Sequence, residues 1–390
     1  MPGVEANGDA PSEAEAVRLI PVGERRDLDE ARRILTQWMT SHLEDASQVR
    51  LSPLTTPSSA GMANETLMFD ATWVAAGSDQ RGGFVARVGS DPQVFLDADV
   101  LEHARLYETV GSISDVPVPR VYGTEDDPTV LGAPFFVMNR VPGRVVPDTP
   151  PYNQTGWVAD LAPDERSKLW RNAFTEMCKL HLLDSSSFAF LDRAQRGTNG
   201  LEQSLNYWIE MLEASDDGRD LKTIVPATDW LRANLPANPR TGFAWGDARL
   251  PNVLFDGLRV AAVLDWDLVS LAGPITDLAW WLVYEVQASR GYGLAPLDGL
   301  GSPSEKLDLW QELTGLELEH LDFHLVFAAF RSAVSILKIA QLMEFAGTLP
   351  RSDGGFAVDN SATQLLASML DIEPPGPTCL QWPGEAYGYT

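Results

Sequence analysis

Three polar side chains, Asp247, Asn252 and Asp265, stand in the stretch WGDARLPNVLFDGLRVAAVLDWD, residues 245–267. Between the last two lie the short apolar runs VLF and VAAVL, joined by DGLR. An Asp-Gly pair between apolar runs predicts a β-hairpin. The start of one hairpin strand lies beside the end of the other, so Asn252 and Asp265 are expected to converge at one open end. An amide oxygen and a carboxylate, completed by waters and substrate phosphates, form a donor set suited to Mg²⁺. Asp247, on the preceding loop, is expected to reach the same mouth. With no basic partner read in the near sequence, it suits a carboxylate that orients an incoming hydroxyl and accepts its proton.

An Asp-x-x-x-x-Asn pattern followed by an Asp after an apolar strand is the catalytic and metal-binding layout of the kinase fold. WGDARLPNVLFDG, followed by VAAVLDWDLVSLAGPITDLAWW, resembles the aminoglycoside phosphotransferase (APH) family of small-molecule kinases. The likeness extends to its acyl-CoA-dehydrogenase-associated branch and its actinobacterial members. The resemblance implies that Asp247 is the catalytic carboxylate and that Asn252 and Asp265 hold Mg²⁺. It places Arg249 near the transferred phosphate, where it neutralises developing charge. Asp277 is expected to be a helix N-cap and scaffold acid, and Asp267 receives no role. Trp245 stands where many kinases have histidine and is read as a packing replacement.

The resemblance also implies an α+β, bilobal protein-kinase-like fold, with a small antiparallel-sheet N-lobe and a larger, mostly helical C-lobe. The N-lobe is expected to clamp ATP or GTP. Gly61, in SSAGMANETLMF, would lie over the phosphates, and Arg87, in FVARV, would contact them in place of the usual lysine. Glu102 is the expected helix partner of Arg87, with Asp99 and Glu108 as alternatives. The backbone of Met138, Asn139 and Arg140 would meet the purine edge. Backbone contacts leave no side-chain code, so ATP and GTP are not distinguished.

The elements that must carry these residues follow from periodicity. Asp27 caps a helix whose stripe is Leu28, Ala31, Leu35, Trp38 and Met39. Alternation from residue 66 to 88 predicts an antiparallel hairpin with AGSDQRGG as a long loop, and Val100, Ala104 and Tyr107 mark a helix. Several apolar-periodic stretches follow residue 163. The chain is thus divided into a mobile tail (1–15), an N-terminal helical segment (16–50), an N-lobe (51–141) and a C-lobe (142–390). His181, Trp280, Trp281 and Tyr284 read as core.

Among 390 residues, 29 are basic and 55 acidic, a formal net charge of −26. Such a chain repels nucleic acid and anionic membranes and favours cationic small molecules. No apolar run is read as long enough to span a bilayer, and no leader pattern opens the chain, so a cytoplasmic location is expected. Cys178 and Cys379 make neither a disulfide framework nor a zinc motif. The combined reading is a Mg²⁺-dependent phosphotransferase. Its partners are a nucleoside triphosphate and a small-molecule hydroxyl acceptor, possessing aminoglycoside-like positive charge. A kinase of a metabolic amino alcohol or sugar, and a non-catalytic nucleotide-binding module, remain as alternatives.

Overall fold

The computed structural model describes residues 26–57, 64–90, 95–97, 99–377 and 380–384. Gly61, Cys379 and the tail 1–15 lie outside the described residues. Among the described residues, two antiparallel sheets and ten α-helices organise the chain. The first sheet contains β1 (Ser47–Leu51), β2 (Asn64–Ala75), β3 (Ser78–Gly89), β4 (Val121–Glu125) and β5 (Phe135–Asn139), in the order β1-β2-β3-β5-β4. The β2–β3 hairpin is tighter than its composition suggests. Ala75 pairs with Ser78, and Ala76 and Gly77 turn the chain with φ 48° and 74°. The expected long loop is therefore strand, because two consecutive left-handed residues form the turn that matches strand twist.

Alternation along β3 and β5 divides their side chains between two cores. Phe84, Ala86, Val88, Phe135 and Val137 face α1 (Leu28–His42), joining its buried Ala31, Leu35, Trp38 and Met39. Leu28 is exposed, so it drops from the predicted stripe. Val85, Phe136 and Met138 belong to the second core with Val100, Ala104 and Tyr107 of α2 (Val100–Ile113), which continues into the C-lobe. A short α3 (Pro128–Leu131) connects β4 to β5.

In the C-lobe, β6 (Arg144–Val145), β7 (Val253–Asp256) and β8 (Arg259–Val263) make a three-stranded sheet in that order. The helices are α4 (Pro163–His181), α5 (Gly200–Glu213), α6 (Ile224–Asn234), α7 (Pro274–Ala288), α8 (Pro303–Thr314), α9 (Leu321–Phe345) and α10 (Ser361–Leu370). α9 packs against α5, α6, α7 and α10. Contrary to the sequence reading, α9 is long and apolar enough by length and composition to cross a membrane, but 67% of its apolar window is buried in the protein. It is the central core helix of this lobe.

His324, near the start of α9, is buried with Nδ1 3.1 Å from the Thr276 hydroxyl. Burial, with help from His320 and Arg331, pushes its pKa from 6.5 down to about 3. The unfolded chain therefore binds a proton that the native state refuses, and stability falls as pH drops from about 6.5 toward 3. Wild type is expected to lose roughly 1.4 kcal/mol more per pH unit than His324→Gln between pH 6 and 4. Urea unfolding across this range tests the expectation, and parallel pH profiles would contradict it.

Candidate active site

The β7–β8 hairpin brings its two ends together. Leu264 N–H donates to the Asn252 carbonyl at 3.0 Å, setting Asp265 beside Asn252. Asp265 has φ 62°, a left-handed conformation that turns the chain immediately after the strand. The Trp245 indole N–H donates to both the Leu264 and Asp265 carbonyls, each at 2.9 Å. Trp245 thus has a polar task beyond packing: it ties the loop carrying Asp247 to the one carrying Asp265.

Asp277 fixes the backbone just before Asp247. It is not the N-cap, which is Gly273, but lies in the first turn of α7. Its carboxylate accepts the N–H of Trp245 at 2.6 Å and that of Gly246 at 2.8 Å. His181 Nε2 lies 3.1 Å from the same carboxylate, and the Trp310 indole donates to His181 Nδ1 at 3.0 Å. An indole N–H can only donate, so the imidazole proton sits on Nε2 and points to Asp277. His181 is therefore a core residue with a defined tautomer. Gly246 has φ 92°, and a Cβ there would collide with the Leu268 carbonyl. Only glycine lets these two loops pass so closely.

Asp247 is buried and surrounded by donors. Arg249 Nε reaches both carboxylate oxygens at 2.9 Å, Asn252 Nδ2 donates at 2.6 Å and the Trp280 indole at 2.7 Å. The expectation that Asp247 lacks a nearby basic partner is corrected, because the chain folds Arg249 back onto it. Arg249 Nη1 also donates to Asp148, whose other oxygen accepts the Tyr284 hydroxyl, and the guanidinium lies 4.9 Å from the Tyr284 ring centre. Burial opposes the Arg249 charge, but Asp247 and Asp148 outweigh it and hold its pKa well above the ordinary value. Arg249 thus bridges Asp247 and Asp148.

Asn252 Nδ2 donates to the Asp247 side chain and carbonyl, leaving its Oδ1 to accept or ligate. Burial, then the Asp267 and Asp247 charges, push the Asp265 pKa to about 7 against the pull of Arg87 and Arg249. Crowded carboxylates with a free amide oxygen fit a hard divalent cation. Among the described residues, no group of three His, Cys, Asp or Glu side chains is placed to hold a metal alone. The Asn252–Asp265 set therefore fits Mg²⁺ only with phosphates and waters completing its shell.

The nucleotide side is wired differently from expectation. Arg87 Nη1 donates to the Thr66 hydroxyl at 3.0 Å, and Nη2 lies 3.5 Å from Asp267. Glu102 does not pair with Arg87; it accepts from Arg193 at 2.7 and 2.8 Å. Successive helix residues point about 100° apart, and α2 turns His103, not Glu102, toward Asp267, with Nδ1 at 3.2 Å. Burial, then Arg87, lower the His103 pKa to about 4, so the ring meets Asp267 as a neutral imidazole rather than as an ion-pair partner. Asp99 caps α2 through the Leu101 N–H. At the end of β5, Met138 is buried in register with Val85, while the N–H groups of Asn139 and Arg140 donate to Arg120 and Gly83 carbonyls. The Arg140 side chain pairs with Asp70.

Trp280, Asp148, Asp267, His103 and Arg331 were missed as site residues. For Trp280 a signal existed: it follows Asp277 by three residues on α7 and so shares its face. Arg331 was visible as a lone cation inside FHLVFAAFRSAVSIL. Nothing local marks Asp148.

The sequence profile of the phosphotransferase enzyme family (APH) matches residues 69–314, and the chain belongs to that family. Among curated relatives, "Probable acyl-CoA dehydrogenase IBR3" of Arabidopsis thaliana is 24% identical over 343 residues, covering 83% of this chain and 40% of that protein. Acyl-CoA dehydrogenase family member 10 of Mus musculus is 27% identical over 228 residues, covering 56% of this chain and 20% of its own. The aligned regions thus span 40% or less of these relatives' length. A candidate aminoglycoside phosphotransferase of Ralstonia eutropha superposes with TM-score 0.62 at 24% identity, covering 85% and 96% of the two chains. Aminoglycoside phosphotransferase APH(4)-Ia, solved with AMP-PNP and hygromycin B, gives TM-score 0.50 at 16% identity, covering 86% and 98%. These likenesses establish the bilobal fold.

Replacing Asp277 with Ala strands the Trp245, Gly246 and His181 donors in the core, at about 1–3 kcal/mol for each unsatisfied group. Asp277→Ala is expected to lose roughly 3–5 kcal/mol of stability, with Asp277→Asn recovering part. A loss below about 1 kcal/mol in chemical denaturation would contradict the anchoring role.

Proposed function

We propose that the chain transfers the γ-phosphoryl group of ATP or GTP to a hydroxyl of a small molecule. The observation that carries this reading is the meeting of Asp247, Asn252 and Asp265 at one hairpin mouth, with Asp247 fixed by three side chains. Asn252 Oδ1 and the Asp265 carboxylate would hold Mg²⁺, which when bound neutralises phosphate charge and orients the transferring group. Asp247 orients the acceptor hydroxyl and takes its proton as the new O–P bond forms, while the bond to the β-phosphate oxygen breaks and the nucleoside diphosphate leaves. Positioning is the protein's main contribution in such a loose transition state. Arg249 holds the plane of the Asp247 carboxylate. Arg87, steadied by Thr66 and Asp267, offers its charge to the nucleotide phosphates. The backbone of Met138, Asn139 and Arg140 would meet the purine edge, with the Asn139 and Arg140 amides held by the Arg120 and Gly83 carbonyls.

A cationic, aminoglycoside-like acceptor is favoured by the net charge of −26 and by Asp148, 44% exposed and joined to Asp247 through Arg249. An amino alcohol or sugar is the second acceptor class, since it too presents a hydroxyl to Asp247. Phosphate transfer from γ-labelled ATP and GTP to a panel of such acceptors tests the reading. Transfer is expected to require Mg²⁺, to stop with EDTA, and to fall by about 10³-fold or more in Asp247→Asn with nucleotide affinity retained. Asp265→Asn is expected to raise the Mg²⁺ concentration needed. Transfer unaffected by Asp247→Asn would contradict the assignment, and binding without transfer to any acceptor would favour a non-catalytic module.

A further inference from the structure

α9 buries Arg331 at 1% exposure in the middle of an apolar helix. A buried guanidinium is costly unless its charge is met, and here it is met largely by rings. Its carbon lies 4.5 Å from the Trp280 ring centre, 5.3 Å from Trp208 and 5.8 Å from Phe327. Nη2 donates to the Gly246 carbonyl at 2.5 Å, while Nε has no hydrogen-bond partner. Burial lowers its pKa to about 10 against the pull of Asp277 and Asp247, so the group stays charged near neutral pH. Both of its principal contacts bear on the same neighbour. Gly246 is the residue before Asp247, and the Trp280 indole N–H donates to Asp247 Oδ1 at 2.7 Å.

We propose that Arg331 is a positioning residue for Asp247: it pins the preceding backbone through Gly246 and, by stacking, fixes the Trp280 ring whose N–H orients the Asp247 carboxylate. The inference rests on the phosphotransferase reading and adds a constraint from the far side of the C-lobe. A cation on the ring face also draws electron density from the indole and strengthens its N–H as a donor. Arginine suits the place because one planar group both stacks and donates, whereas lysine's compact ammonium lacks that planar face. The aromatic box distinguishes this arrangement from an ordinary buried ion pair, whose partner would be a carboxylate.

The test compares Arg331→Met, Arg331→Lys, Trp280→Phe and the Trp280→Phe/Arg331→Met double variant. In Arg331→Met, kcat is expected to fall about 10–100-fold, with the nucleotide KM within about twofold of wild type. Arg331→Lys recovers part of the loss. In the Trp280→Phe background, where the indole N–H is already absent, Arg331→Met should cost less than about threefold, as residues acting through one another are non-additive. A second readout needs no turnover: the Trp280 indole resonance in a nitrogen-15 spectrum, assigned by its loss in Trp280→Phe, should shift and lose exchange protection in Arg331→Met. An equal fall in both backgrounds, or an unmoved resonance, overturns the proposal. If Arg331→Met does not fold, Arg331→Lys carries the same comparisons. If wild type transfers no phosphate, the functional reading fails separately, and the indole resonance alone decides whether Arg331 positions Trp280.

Discussion

The buried carboxylate of Asp277 accepts the Trp245 and Gly246 amides and faces the His181 Nε2 proton. The site's geometry depends on that cluster. Held there, Trp245 ties the loop carrying Asp265 through the carbonyls of Leu264 and Asp265, and Gly246 passes against Leu268 with no room for a side chain. Asp247 follows directly, already oriented. A carboxyl group is tolerated in the core because several donors converge on it, which is the condition for burying a polar group.

From that anchor, polar contacts run outward in two directions. Toward the C-lobe, Arg331 and Trp280 brace Asp247 from behind, while Arg249 and Asp148 close it from the front. Toward the N-lobe, Asp267 gathers Arg87, His103 and Asn64. Arg87 is therefore referenced to the loop after Asp265, rather than to an acid on α2. Glu102 instead joins α2 to Arg193 of the C-lobe. Both contacts join α2 to the C-lobe, one a neutral histidine against Asp267 and the other an ion pair.

What the sequence revealed was governed by local chemistry. The Asp256–Gly257 turn between two apolar runs made the β7–β8 hairpin legible, and with it the approach of Asn252 to Asp265. The α1 stripe was legible because helical periodicity and the Asp27 cap agree. Pairings set by rotation or distant packing were not legible. One step of helix rotation decides whether Glu102 or His103 faces Asp267. Arg249 lies near Asp247 in sequence, yet only the loop's turn folds it back, and Asp148 reaches the site from the segment after β6. The Ala76–Gly77 turn was hidden because alanine seldom takes positive φ. Gly61 lies outside the described residues.

In the proposed reaction the anchored loops would present Asn252 Oδ1 and the Asp265 carboxylate to one divalent cation while Asp247 stays free of it. Anomalous scattering from crystals grown with Mn²⁺ and a non-hydrolysable ATP analogue measures this directly. The predicted result is a manganese peak ligated by Asn252, Asp265 and the nucleotide phosphates, with Asp247 still bonded to Trp280 and Arg249. A manganese position held by Asp247, or one away from both Asn252 and Asp265, would contradict it.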